Sequence, residues 1–377
     1  MTGESSIVKN ILMSRSALIA MSGGVDSSVA AFLLKEQGWN CYAATMMLHK
    51  IDTKNTESPC PKLRALDDAK NAARRLKIPF CVFDLAEDFQ NIVIERFVQA
   101  YQQARTPNPC IICNRFIKFD KFFRQIDALK LDFTADVMAT GHYARIVYDS
   151  VSKRYLLQKA VDTQKDQSYF LYALTQQQLS RTLFPVGTYH KHEVREIAGH
   201  IGLENASKRE SQDVCFIPAD GDYASFIEQY IIEQGRGAVP PEGNFVDSDG
   251  RVLGRHRGLI RYTVGQRKGL GIAYKTPYYV CAFDVSANTV VLGGEEQLYS
   301  RIIEAGELNL IATDCITQPM RVTAKIRYRQ HEEPATVEQV SLDRIRVIFD
   351  VPQKAAAPGQ AVVFYDGDIV VGGATIA

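Results

Sequence analysis

An unbroken apolar run, Ala17-Leu18-Ile19-Ala20-Met21, leads into a short polar loop, and a second apolar stretch follows over Val29 to Leu34. The first run reads as a parallel strand covered on both faces, and the second as a helix that Ser27 and Ser28 are placed to cap. The alternation continues with strands over Cys41 to Met47, Phe80 to Leu85 and Val137 to Thr140. Helices are expected over Leu63 to Leu76 and Val93 to Ala104. Such a pattern predicts an α/β fold with a doubly wound parallel sheet, whose ligands lie outside the carboxyl ends of the strands. Near Leu203 the pattern stops, and glycine, proline and basic residues take over between Ser211 and Tyr279. Gly235 to Pro241 reads as a connection, and Gly254 to Gly271 carries Arg255, Arg257, Arg261, Arg267 and Lys268. From Tyr279 onward, short strands separated by Ala287-Asn288, Asp366-Gly367 and Gly372-Gly373 predict a compact antiparallel β-barrel. The expected division is residues 1–213, a small central basic unit over 214–280, and a barrel over 281–377.

One expected barrel strand alternates cationic and apolar positions. With a side-chain period of two, Arg321, Lys325, Arg327 and Arg329 would line one face. That row is either a solvated face or a surface selected by a phosphate backbone. The formal net charge of +1 over 377 residues excludes a uniformly basic coat but not a local one. No run nears the ~18 apolar residues of a membrane span, and no secretory apolar segment stands near the N-terminus, so a cytoplasmic protein without a membrane partner is expected.

Ser22-Gly23-Gly24-Val25-Asp26-Ser27-Ser28 joins the first strand to the first helix. Two glycines allow close backbone approach, and the free amides of a first helical turn bind anions. The loop lacks the Gly-Lys-Ser/Thr ending of a Walker A motif. It resembles the PP-loop of the ATP pyrophosphatase families, which release pyrophosphate and leave an adenylated acceptor.

The eight cysteines are irregularly spaced, which suits reduced thiols better than a disulfide framework. Cys110 and Cys113 form a CxxC pair behind Thr106-Pro107-Asn108-Pro109, at the start of an expected helix where a thiol pKa is lowered. A zinc ribbon would need a second CxxC, which this chain lacks. A nucleophile, or an iron–sulfur site completed by a distant thiol, stays open. Cys215 is the candidate for that thiol, although its apolar neighbours suggest a buried strand. Cys41, Cys81, Cys281 and Cys315 read as packing, and Cys60 as a loop thiol without a role.

Taken together, Ser22–Ser28, Thr106–Phe119, Thr140–Tyr143, Lys165–Tyr172, Glu210–Ile217, Thr263–Ile272, Lys325–Gln330 and Pro358–Tyr365 resemble the tRNA-specific 2-thiouridylase family over nearly the whole chain. The resemblance implies an ATP site at Ala20, Met21, Ser22, Gly23, Gly24, Val25, Asp26, Ser27, Met46 and Gly141, with Mg²⁺ accompanying the nucleotide. It implies Cys113 as nucleophile and Cys215 as persulfide carrier, with Asn108, Pro109 and Cys110 meeting the target base. It places tRNA contacts on His142, Lys165, Asp166, Gln167, Arg327, Tyr328 and Gln360. The implied partners are tRNA and a persulfide-donating protein. Many members carry Asp where this chain has Cys110, which leaves the general base open. Cys110 is then a weaker base, a third redox thiol, or, with Cys113 and Cys215, a ligand of an iron–sulfur cluster. The rival readings are thiolation through that cluster and an amide-forming ligase of the PP-loop group.

Overall fold

The computed structural model describes residues 15–49, 61–128, 135–203, 214–218, 221–272 and 277–377. Cys60 and residues 210–213 lie outside them. Strands β1 (Ser16–Ala20), β2 (Asn40–Met47), β3 (Phe80–Asp84) and β4 (Val137–Thr140) form a parallel sheet in the order β3-β2-β1-β4. Successive residues of β1 feed opposite faces: Leu18 packs into one core, and Ala17 and Ile19 into another. All three are fully buried, as the unbroken apolar run requires. A hairpin of β5 (Arg145–Asp149) and β6 (Arg154–Gln158) then leaves this sheet, and β7 (Thr182–Leu183) returns to pair with β4.

The first helix spans Val25–Glu36, four residues longer at its start than the apolar pattern implied. Gly24 is its N-cap without a side-chain bond, so Ser27 and Ser28 do not cap it. Their hydroxyls instead turn back to the Gly24 carbonyl, at 3.2 and 3.0 Å. The helix expected over Val93 to Ala104 starts earlier as well, running Ala86–Phe89, then a π-helical turn over Gln90–Ile94, then Glu95–Gln102.

A second sheet joins β8 (Gly243–Val246), β9 (Val252–His256), β10 (Tyr279–Asp284) and β11 (Thr289–Gly293) in the order β10-β11-β8-β9. Residues 279–293, expected as the first barrel strands, therefore pair with the central segment instead. Their side chains Val280, Val290 and Leu292 share a core with Phe245, Leu259 and Tyr262. A period of two marks a half-buried strand but does not say which sheet receives it.

The third sheet is built on β12 (Tyr299–Leu310), β13 (Met320–Lys325), β14 (Glu333–Ser341), β15 (Arg344–Lys354), β16 (Ala361–Asp366) and β17 (Ile369–Ile376). β12 pairs with both β15 and β17, which closes these six antiparallel strands into a barrel. The β5–β6 hairpin attaches to it where Ile369 meets Gln158. β13 ends at Lys325, so the expected row of cations does not form. Arg327 and Arg329 lie in the following turn, and Arg321 is held on the surface by Asp350 at 2.8 Å. Among the described residues no helix is long and apolar enough to cross a membrane.

Candidate active site

A cavity of about 2500 Å³ opens at the carboxyl ends of β1, β2 and β4. Its walls come from the parallel sheet, the central segment and the barrel, and they include Ala20 through Ser27, Met46 and Gly141. Gly23 has φ +75°, and a Cβ there would stand 2.1 Å from the Ala65 carbonyl oxygen. At Gly141 a Cβ would stand 2.5 Å from the Ser27 amide nitrogen. The end of β4 is thus pressed onto the first turn of the Val25–Glu36 helix, where only glycine fits.

Asp26 is the acid of this loop. The Lys191 ammonium donates to its two carboxylate oxygens at 2.7 and 2.8 Å, and the Tyr143 hydroxyl donates at 2.8 Å. Lys191 is buried, and it comes from the start of the Lys191–His200 helix, far along the chain. Sequence reasoning missed it, because nothing around Tyr189-His190-Lys191 marks it. It also missed Lys118, which follows Cys110 and Asn114 at intervals of four on one helical stripe and lines the same cavity.

Cys110 and Cys215 line the cavity and are exposed, whereas Cys113 lies just behind the wall at 7 % exposure. Cys215 sits in a turn rather than the buried strand its apolar neighbours suggested, and Cys315 is exposed rather than packed. Asn108 and Pro109 do not border the cavity. Asn108 caps the helix that starts at Pro109, its carboxamide oxygen accepting from the Cys110 amide at 3.2 Å.

A model of the tRNA methyl transferase HUP domain matches residues 15–219, one of its PRC-barrel domain matches 224–294, and one of an aminomethyltransferase beta-barrel domain matches 300–376. The tRNA-specific 2-thiouridylase MnmA of Acetivibrio thermocellus is 48% identical over 96% of this chain and 99% of its own. Its namesakes in Clostridioides difficile and Lachnoclostridium phytofermentans are 45% and 47% identical, again covering 99% of the relative. The chain belongs to the tRNA-specific 2-thiouridylase MnmA family.

In this member of the MnmA family the thiols are not the lowered-pKa groups expected of a helix start. Burial pushes Cys113 up to about 12, with the neighbouring Cys215 and Cys110 adding to the rise and Lys118 opposing it. Cys110, although solvent reaches it, is crowded by the cavity wall, and that desolvation raises it as well, with Lys118 opposing. Cys113 follows the first helical turn, where the dipole has faded, so desolvation wins. Among the described residues no three Cys, His, Asp or Glu side chains, these thiols included, stand close enough to hold a metal ion.

The residues that the resemblance assigned to tRNA divide into two groups. His142, Lys165, Gln167, Arg327, Tyr328 and Gln360 all border the cavity. His142 is kept neutral, its pKa far below the ordinary value through burial and the nearby Lys118. Gln360 donates to the Thr106 carbonyl at 2.9 Å, tying the barrel to the segment that carries Cys110. Asp166 also borders the cavity but is 7 % exposed, and it accepts from the amides of Ala160 and Ser168 and from the Ser168 hydroxyl. That arrangement makes it a brace for the 160–168 turn. Gln167 holds both the amide and the carbonyl of Tyr143, and so fixes the Tyr143 ring that reaches Asp26.

Proposed function

We propose that this chain replaces O2 of the wobble uridine of tRNA by sulfur, consuming ATP. One observation carries the reading: the PP-loop and the Cys110 and Cys215 residues line one cavity, and Cys113 is buried three residues beyond Cys110. The nucleotide sits at Ala20–Ser27, its phosphates against the amides of the first helical turn. The target uridine leaves the anticodon stack to enter the cavity. Its O2 attacks the α-phosphorus, pyrophosphate departs, and C2 becomes electrophilic because O2 now carries AMP. Mg²⁺ accompanying the nucleotide would supply charge neutralisation for the departing pyrophosphate.

Sulfur arrives as a persulfide on Cys215, loaded by a donor protein. An exposed turn suits that exchange, since it can meet a second protein and then face the cavity. The terminal sulfur attacks C2 and AMP leaves, or Cys113 first releases it as hydrogen sulfide, which attacks C2 in its place. In the direct route Cys113 next attacks Cys215 Sγ, breaking the sulfur–sulfur bond and freeing the 2-thiouridine. Both routes end in a Cys113–Cys215 disulfide. Cationic and aromatic side chains from the barrel, Arg327 and Tyr328, supply phosphate and stacking contacts beside the site.

The test is mass spectrometry of nucleosides from tRNA incubated with enzyme carrying the persulfide on Cys215, ATP and Mg²⁺, without free sulfide, for wild type and Cys113→Ser. ATP-dependent 2-thiouridine that disappears in the variant is the expected result. ATP turnover without sulfur in the RNA would favour an amide-forming ligase.

A further inference from the structure

The proposed cycle leaves a disulfide that includes a buried sulfur, and a reductant must reopen it before Cys215 can be reloaded. A reducing protein that attacked the exposed Cys215 sulfur would occupy the turn the sulfur donor must reach, and Cys113, at 7 % exposure, is poorly placed to meet one. Cys110 is exposed to the cavity and lies three residues before it on the same helix. Side chains three apart on a helix have Cβ atoms ~5–6 Å apart, and a disulfide needs ~3.5–4.5 Å, so closing the pair takes a shift of ~1–2 Å. Cys215 borders the same cavity as Cys110, and both act electrostatically on Cys113. The buried thiol therefore has one partner from a turn and another from its own helix.

We infer that Cys110 is the resolving thiol of this enzyme, moving the disulfide from Cys113–Cys215 to Cys110–Cys113. This rests on the thiolation reading above. The Cys110 thiolate attacks Cys113 Sγ, a Cys110–Cys113 bond forms, and Cys215 leaves as a thiolate that takes up the proton Cys110 gave up. No electrons are gained or lost in this step. An external dithiol protein then attacks the exposed Cys110 sulfur and supplies two electrons, becoming a disulfide itself while Cys110 and Cys113 return to thiols. Cys215 is free to accept its next sulfur before that reduction occurs.

The experiment takes the full chain through one turnover with persulfide-loaded Cys215, ATP and tRNA, without reductant, and then traps free thiols by alkylation and maps disulfides by mass spectrometry. Wild type is expected to show Cys110–Cys113 with Cys215 alkylated, and Cys110→Ser to show Cys113–Cys215. With a dithiol protein as sole reductant, later turnovers of Cys110→Ser should fall at least tenfold relative to that variant's own first turnover. A small reductant such as dithiothreitol should restore them. A Cys113–Cys215 bond as the only product in wild type would overturn the relay, and so would later turnovers of Cys110→Ser that keep pace with its own first turnover when the dithiol protein is the sole reductant. Iron bound to anaerobically purified wild type and lost in Cys110→Ser would overturn it in favour of a cluster. A parallel oxidation by diamide, without tRNA, separates the two ideas. Cys110–Cys113 formed by diamide in an enzyme that never thiolates tRNA would bring down the thiolation reading and the relay built on it. Failure to form that bond with thiolation intact would bring down the relay alone.

Discussion

Lys191 and Asp26 form a largely buried pair at the mouth of the nucleotide loop, with side chains 9% and 25% exposed. Removing one partner strands the other, and Lys191→Ala is expected to cost about 2 kcal/mol, less than for a fully buried pair because Asp26 keeps some water. Denaturant unfolding checks this, and a raised KM for ATP should accompany it. Gly23→Ala places a Cβ against the Ala65 carbonyl at positive φ, so a loss of about 1–3 kcal/mol and of ATP binding is expected by calorimetry. The thiols give a pH dependence with a definite sign. Cys41 and Cys113 are raised to about 11 and about 12, from an ordinary value of 9.0. The unfolded chain therefore releases protons first as pH climbs past 9.0, and stability falls from there until the folded-state values are passed. Melting temperature measured upward from about pH 8 should drop, and drop less in Cys113→Ser. At neutral pH an alkylating agent should label the exposed Cys215 well before Cys113.

At the level of the element, β13 separates two arginines that the sequence pattern had joined. Arg321 lies on the strand, exposed and bound to Asp350, and Arg321→Ala should leave both the unfolding midpoint and the tRNA affinity as they were, because solvent screens that pair. Arg327 lies in the turn beyond, beside the cavity, where it donates to the Ala355 carbonyl at 2.6 Å. Arg327→Ala should weaken tRNA binding and lower the slope of log affinity against log salt by about one, measured by filter binding. What could be read from sequence follows the same division. β1 and the glycine loop were legible because a strand buried on both faces must be apolar throughout, and because glycine marks close approach. The end of β13 was not, since alternation ran on past Lys325 while the backbone turned away. Tyr279 to Gly293 read correctly as strands, but their sheet is set by partners far off in the chain. Lys191 was invisible for a related reason: its partner stands 165 residues away. Cys215 misled because its apolar neighbours, Val214 and Ile217, pack against a core that its own side chain avoids.

Across the whole molecule, the β5–β6 hairpin ties the first half of the chain to the barrel. Arg154 donates to the Ile311 carbonyl at 2.7 Å, the Tyr169 hydroxyl to the Ala361 carbonyl at 2.8 Å, and Asn309 to the carbonyls of Tyr172 and Leu174. Val363, Tyr365 and Val370 of β16 and β17 belong to the same core as Leu18 of β1. During synthesis, then, the ribosome releases the nucleotide loop long before the strands that complete its core. The nascent first half must wait with Leu157 and Tyr169 uncovered until residues 361–376 have emerged, and a chaperone is the natural occupant of that gap. A stop codon near residue 300 should yield an insoluble fragment rather than a working ATP-binding half, which sedimentation of the expressed fragment would reveal. Since the same late strands carry one wall of the cavity, no half-made copy can adenylate a tRNA and abandon it.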